Sequence, residues 1–350
     1  MDPSGVFATT FRKDLALVRT RAQWISLIGF VGLLYLLPLF AEARVLAVLT
    51  SIFITGIVVL GLQITTGLAG QINLGQAAFM GVGAYATGVL ATTGGWPIWA
   101  ALPAGGIAAA LFGFVFGMSA IRIKGFYLAL STIAAQFLFH FLVLNLPSSW
   151  LGGSNGITLQ PASILGVRFD TDTSLFYLTL AIGMLMTYGA FGIARSRHGR
   201  AFVAVRDDDV ASGIMGIDVV RTKAMAFLVG AFYAGIGGGL WAYYVRFVAV
   251  DQFTLFNSIW FIAMIIVGGM GSITGALIGV VAIRLVQEII TVVGPQIASQ
   301  YPALGGDIVF AAMNIFLGGI IACFLIFEPK GLMHRWSILK RSYRLWPFPY

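Results

Sequence analysis

The sequence predicts an all-α integral membrane protein with about ten spanning helices. Three observations carry this. Of 350 residues, 59% are hydrophobic and only 10% charged, with a mean hydropathy of +0.93; soluble domains run at about 25% charged. Apolar runs of membrane-crossing length follow one another along the chain. The cationic residues gather in a few short polar stretches between those runs.

A spanning helix needs about 20 mostly apolar residues. Runs meeting this fall at 24–41, 45–66, 75–94, 97–121, 126–146, 174–194, 224–246, 253–270, 272–291 and 307–327. The third and ninth are rich in Gly and small polar residues and are the least regular of the ten. Ala41-Glu42-Ala43 resembles a signal cleavage site after the first run. We read that run as retained, because the next apolar segment starts at once. With a cytoplasmic N-terminus, 17 of the 21 Lys and Arg residues fall on the cytoplasmic side. Only Arg44, Arg168, Arg246 and Arg284 lie elsewhere. This is the positive-inside pattern. The net charge of +8 is then explained by topology and contact with anionic lipid, and is no argument for nucleic acid binding.

No linker divides the chain. We read residues 1–23 as a cytoplasmic tail, 24–327 as one transmembrane domain with a cytoplasmic loop at 195–223, and 328–350 as a basic cytoplasmic tail. The largest outward loop, 147–173, contains Gly152-Gly153-Ser154-Asn155-Gly156, a density of turn formers that predicts turns. The single Cys323 excludes an internal disulfide.

Four elements bear on function. Between the second and third runs, Gly70, Gln71, Asn73, Gly75 and Gln76 combine helix-weakening glycines with amide side chains. Such a broken helix either holds polar solutes at membrane depth or forms a close packing face, and both readings stand. Glycine ladders at Gly271, Gly275 and Gly279, at Gly105, Gly113 and Gly117, and at Gly235 and Gly239 predict close helix packing. Gly70-Gln71-Ile72-Asn73-Leu74-Gly75 and Gly271-Ser272-Ile273-Thr274-Gly275 look alike, each ahead of a span of the same direction. Arg284 and Glu288, four apart, predict mutual neutralisation on one helix face, or else a gate or a binding-protein contact. His140 reads as a packing residue.

The fourth element is the polar loop 195–223. Asp207, Asp208 and Asp209 ahead of Val210-Ala211-Ser212-Gly213-Ile214-Met215-Gly216 predict one short capped helix. Consecutive Asp residues point apart on a helix and no calcium loop is present, so no metal is expected. No Gly-x4-Gly-Lys-Ser/Thr phosphate loop occurs.

Asp209-Val210-Ala211 followed by Gly216 resembles the Glu-Ala-Ala…Gly motif of ABC importer permeases, with Asp for Glu and Val for the first Ala. Ala69–Phe79, Gly125–Thr132, Gly152–Ile157, Arg206–Asp209 and Gly268–Ser272 are similar, in order, to the LivM family of branched-chain amino acid permeases. The resemblance covers about residues 25–335. It implies the membrane fold shared with sugar and cobalamin importer permeases. It implies a heterodimer with a LivH-like permease, two cytoplasmic ATPase subunits that bind ATP and Mg²⁺, and a periplasmic binding protein, at the bacterial inner membrane. It implies no cofactor and no catalysis in this chain. The roles that follow are ATPase coupling for Gly199, Arg200, Arg206, Asp207, Asp208, Asp209, Ala211 and Gly216, a translocation pathway at Gly70 to Gln76, and binding-protein contact at Gly152, Gly153, Ser154 and Asn155. Urea, short amides or small carboxylates are alternative solutes. An ion-coupled secondary carrier is the rival class, although intramembrane carboxylates are scarce.

Overall fold

The computed structural model describes residues 21–119, 123, 125–147, 151–164, 167–300 and 331–345, with short stretches of 315–328. The helices are α1 (Arg21–Leu36), α2 (Ala43–Leu62), α3 (Gln76–Thr92), α4 (Ile98–Ser119), α5 (Phe126–Asn145) and α6 (Asp172–Arg195). Then come α7 (Arg197–Asp207), α8 (Asp209–Ile214), α9 (Val219–Val245), α10 (Leu255–Gly268), α11 (Ile273–Gln300) and α12 (Leu332–Leu345). Among the described residues, seven helices are long and apolar enough to cross a membrane: 43–68, 98–119, 126–145, 172–195, 219–245, 250–268 and 273–293. The first and third predicted runs form shorter helices. In the first, Pro38 sits in a 3-10 turn that ends α1. In the third, α3 has 17 residues and starts only after the glycine-rich break. Most of the tenth run, 307–327, lies outside the described residues, as do residues 1–20. The basic C-terminal stretch is helical over α12, which packs on α10 and α11.

α9 is the central post and packs against α2, α3 and α4. Its glycines permit this. A Cβ added at Gly238 would fall 1.9 Å from the Met80 carbonyl oxygen of α3, and one at Gly83 of α3 would fall 2.2 Å from Gly235 Cα. Backbones that near each other leave no room for side chains, which is the packing role the ladders predict. The Gly271–Gly279 ladder works likewise, since a Cβ at Gly279 would meet the Met264 oxygen of α10 at 1.9 Å.

The 147–173 loop corrects the expectation of turns alone. Three short strands form there: β1 (Ile157–Thr158), β2 (Ala162–Ile164) and β3 (Val167–Phe169). β2 and β3 make an antiparallel hairpin, and β1 pairs with β4 (Phe247–Val248), just beyond α9. The Arg284–Glu288 pairing is also corrected. Glu288 binds Arg44 of α2 at 2.7 Å, whereas Arg284 donates to the Thr55 hydroxyl. Tertiary packing of α11 on α2 brings a cation from far earlier in the chain nearer than the same-helix neighbour. His140 Nδ1 lies 3.1 Å from the Gln136 carbonyl, a helix-internal contact.

Candidate functional site

The polar loop folds into two helices rather than one. The Ser196 hydroxyl accepts from the amides of His198 and Gly199 and so caps α7. Gly199, Phe202 and Val205 form the buried face of α7, which packs on α6 and α9. Ser196 and the Phe202/Val205 spacing were the available signals, outweighed in a stretch so rich in charge. Asp208 ends α7 and begins α8, its carboxylate accepting from the Val210 and Ala211 amides. Gly216, at φ +86, stands two residues beyond α8 in the left-handed conformation that glycine adopts freely.

The predicted coupling residues therefore divide. Asp208 is a cap. Asp209 pairs with Lys223 of α9 at 3.1 Å, and Lys223 is only 4% exposed, so this pair latches α8 to the central post. Sequence reasoning missed Lys223. Arg206 and Asp207 bind each other. Gly199 lies close against α6, where a Cβ would meet the Ile193 oxygen at 2.3 Å. Arg200 donates to the Arg195 carbonyl. Val210, Ile214 and Met215 point outward, 65%, 82% and 82% exposed. Between α7 and the start of α9 lies a cavity of about 270 Å³ lined by Arg197, His198, Phe202, Asp218, Arg221 and Met225 among others.

The helix break is real in the backbone. α2 runs into a π-helical turn, Gln63–Leu68, and residues 69–75 are non-helical before α3. Its amides turn inward. Asn73 and Gln76 are completely buried, and Asn73 Nδ2 donates to Gln76 Oε1 at 2.8 Å. Gln76 Nε2 donates to the Val58 oxygen, and the Gly75 amide donates to Asn73 Oδ1. Gln71 is buried too and donates to the Ala69 oxygen. The amides thus satisfy the backbone groups that the break frees. Residues Gly70 and Ile72 are the exposed ones. Gln63, Thr132 and Ser258, not singled out from sequence, support the same region: Thr132 Oγ1 accepts from the Leu74 amide and Ser258 Oγ from the Ala77 amide.

In the 147–173 loop, Gly152 and Gly156 take positive φ around a 3-10 turn at Gly153–Asn155. Gly153 is buried and Asn155 exposed, while the Ser154 side chain lies outside the described residues.

Residues 44–324 match the family model described as the permease component of the branched-chain amino acid transport system. The chain is 29% identical over 312 residues to the high-affinity branched-chain amino acid transport system permease protein LivM of Salmonella typhimurium, covering 82% of this chain and 69% of that protein. The Escherichia coli LivM gives the same identity and coverage. Similarity extends to the LivH permease of Salmonella typhimurium, at 25% over 316 residues, 81% of this chain and 92% of that one. No solved structure matches. With the model spanning most of its length, the chain belongs to the family of branched-chain amino acid transport permease components.

Proposed function

We propose that this chain is the LivM-like permease subunit of an ATP-driven importer, passing branched-chain or related amino acids across the bacterial cytoplasmic membrane. In this reading all ten apolar runs cross the membrane and both termini are cytoplasmic. A LivH-like permease completes the pathway. Two ATPase subunits bind ATP and Mg²⁺ and dock on α7 and α8, while a periplasmic binding protein meets the outward loop around Gly152 to Asn155. The break at Gly70 to Gln76 lines the pathway through its exposed positions Gly70 and Ile72, and Gln71, Asn73 and Gln76 hold the break in shape.

One observation carries the coupling role: three exposed apolar side chains in the charged loop, Val210 and Ile214 on the capped helix α8 and Met215 at its C-cap. Fully burying one such side chain contributes about 1.5–3 kcal/mol, so exposure of three in one patch calls for a partner surface. The paired substitution Ile214→Ser with Met215→Ser is expected to weaken co-purification of the ATPase subunits at least tenfold in detergent. Unchanged co-purification would refute docking through α8.

A further inference from the structure

Arg206 ends α7 within reach of two helix breaks. Its Nη1 donates to the Gly67 carbonyl at 3.1 Å, inside the π-helical turn that closes α2. Its Nε and Nη2 donate to one oxygen of Asp207 at 3.0 and 2.8 Å. Carbonyls at a helix C-terminus lack intrahelical partners, and a cation is favoured there. Two glycines make room for the side chain. Gly70 has φ +67, and a Cβ there would lie 2.6 Å from Arg206 Cγ. Gly271 has φ +84, and a Cβ there would lie 3.2 Å from Arg206 Nη1. Gly70 lies in the break 69–75 before α3, and Gly271 in the break 269–272 before α11. Gln63 Nε2 ties the two breaks together by donating to the Ser272 oxygen at 3.1 Å. One arginine side chain thus bonds the π turn through its guanidinium, and its stem and guanidinium lie against the glycines of the two breaks.

We propose that Arg206 is a positioning residue that transmits movement of α7 to both helix breaks. It acts as a relay through its contacts to this chain's own backbone. Asp207 holds the guanidinium in place, and the two glycines let it sit against backbone, so displacement of α7 displaces the π turn with it. The inference rests on the importer reading given above.

The test uses the complete transporter in proteoliposomes with its binding protein, leucine outside and ATP inside. Uptake per ATP hydrolysed is measured for wild type, Arg206→Gln and Arg206→Lys. We expect Arg206→Gln to assemble with its ATPase subunits and to lose at least fivefold in uptake per ATP, with Arg206→Lys recovering at least half of that loss. Arg206→Gln coupling as well as wild type overturns the relay and leaves the importer reading intact. A lower yield of complex with wild-type coupling overturns it too, since that is the signature of a merely structural contact. Absence of ATP-driven uptake in wild type removes the importer reading and the relay together. Hydrogen exchange on the wild-type complex decides without any variant: nucleotide should change exchange in both 63–75 and 269–275. Unchanged exchange in either segment overturns the relay.

Discussion

The Asp209–Lys223 latch can be tested quantitatively. α8 has six residues, far below the length at which a helix stands alone in water. It is held by the Asp208 cap, worth about 1 kcal/mol, and by this ion pair. Lys223 is 4% exposed, whereas the Asp209 side chain is 20% exposed. The two single variants should therefore differ. Asp209→Asn leaves a buried ammonium without its carboxylate; breaking a buried pair costs about 3–5 kcal/mol. Lys223→Met places an apolar side chain in a buried site, and the partly exposed Asp209 can turn toward water, so about 1–2 kcal/mol is expected after discounting for exposure. A loss of about 2 kcal/mol lowers the docked fraction of α8 roughly 30-fold relative to undocked. The assay is ATP-driven leucine uptake by the reconstituted complex, with trypsin cleavage within 207–223 as the measure of docking. Asp209→Asn should be impaired more than Lys223→Met, and the double variant should recover to within about fivefold of wild type, because no uncompensated charge remains. Additive losses in the double variant, or a wild-type Asp209→Asn, would refute the latch.

Asn73→Leu is expected to lower the yield of assembled complex several-fold, because it removes the bonds to Gln76 and to the Gly75 amide in a fully buried site; normal yield by size-exclusion profile would contradict this. Gly238→Val should abolish assembly, since the added side chain runs into the Met80 carbonyl; recovery of a folded, monodisperse complex would refute the packing argument. Arg44→Gln and Glu288→Gln should each lower thermal stability, since each leaves the other charge without its partner on a spanning helix. Their double variant should be no worse than either single one, and a strictly additive loss would show that the pair does not interact.

Much of the fold is legible in the sequence, for a physical reason. A spanning helix needs only a sustained apolar run, so seven long helices coincide with predicted runs within a few residues. The break before α3 is legible through its glycines, and the α8 cap through Asp208. The remainder depends on contacts between distant segments. The strands β1 to β3 have two or three residues each, too short for a period, and the partner of β1 lies beyond α9. The sequence leaves the amides of Asn73 and Gln76 open to solute contact or to packing, and only the tertiary arrangement bonds them to one another and to the backbone. Glu288 finds Arg44 only because α11 lies along α2. Lys223 looked like one more cytoplasmic cation, whereas folding buries it against Asp209.

The central claim is that this chain passes amino acids at the expense of ATP hydrolysed by separate subunits. The most direct measurement is leucine accumulation in proteoliposomes holding this chain, its LivH-like partner, the ATPase subunits and the binding protein. The account predicts accumulation that requires ATP inside and binding protein outside and persists when proton and sodium gradients are collapsed. Accumulation driven by an ion gradient by this chain without ATPase subunits would contradict it.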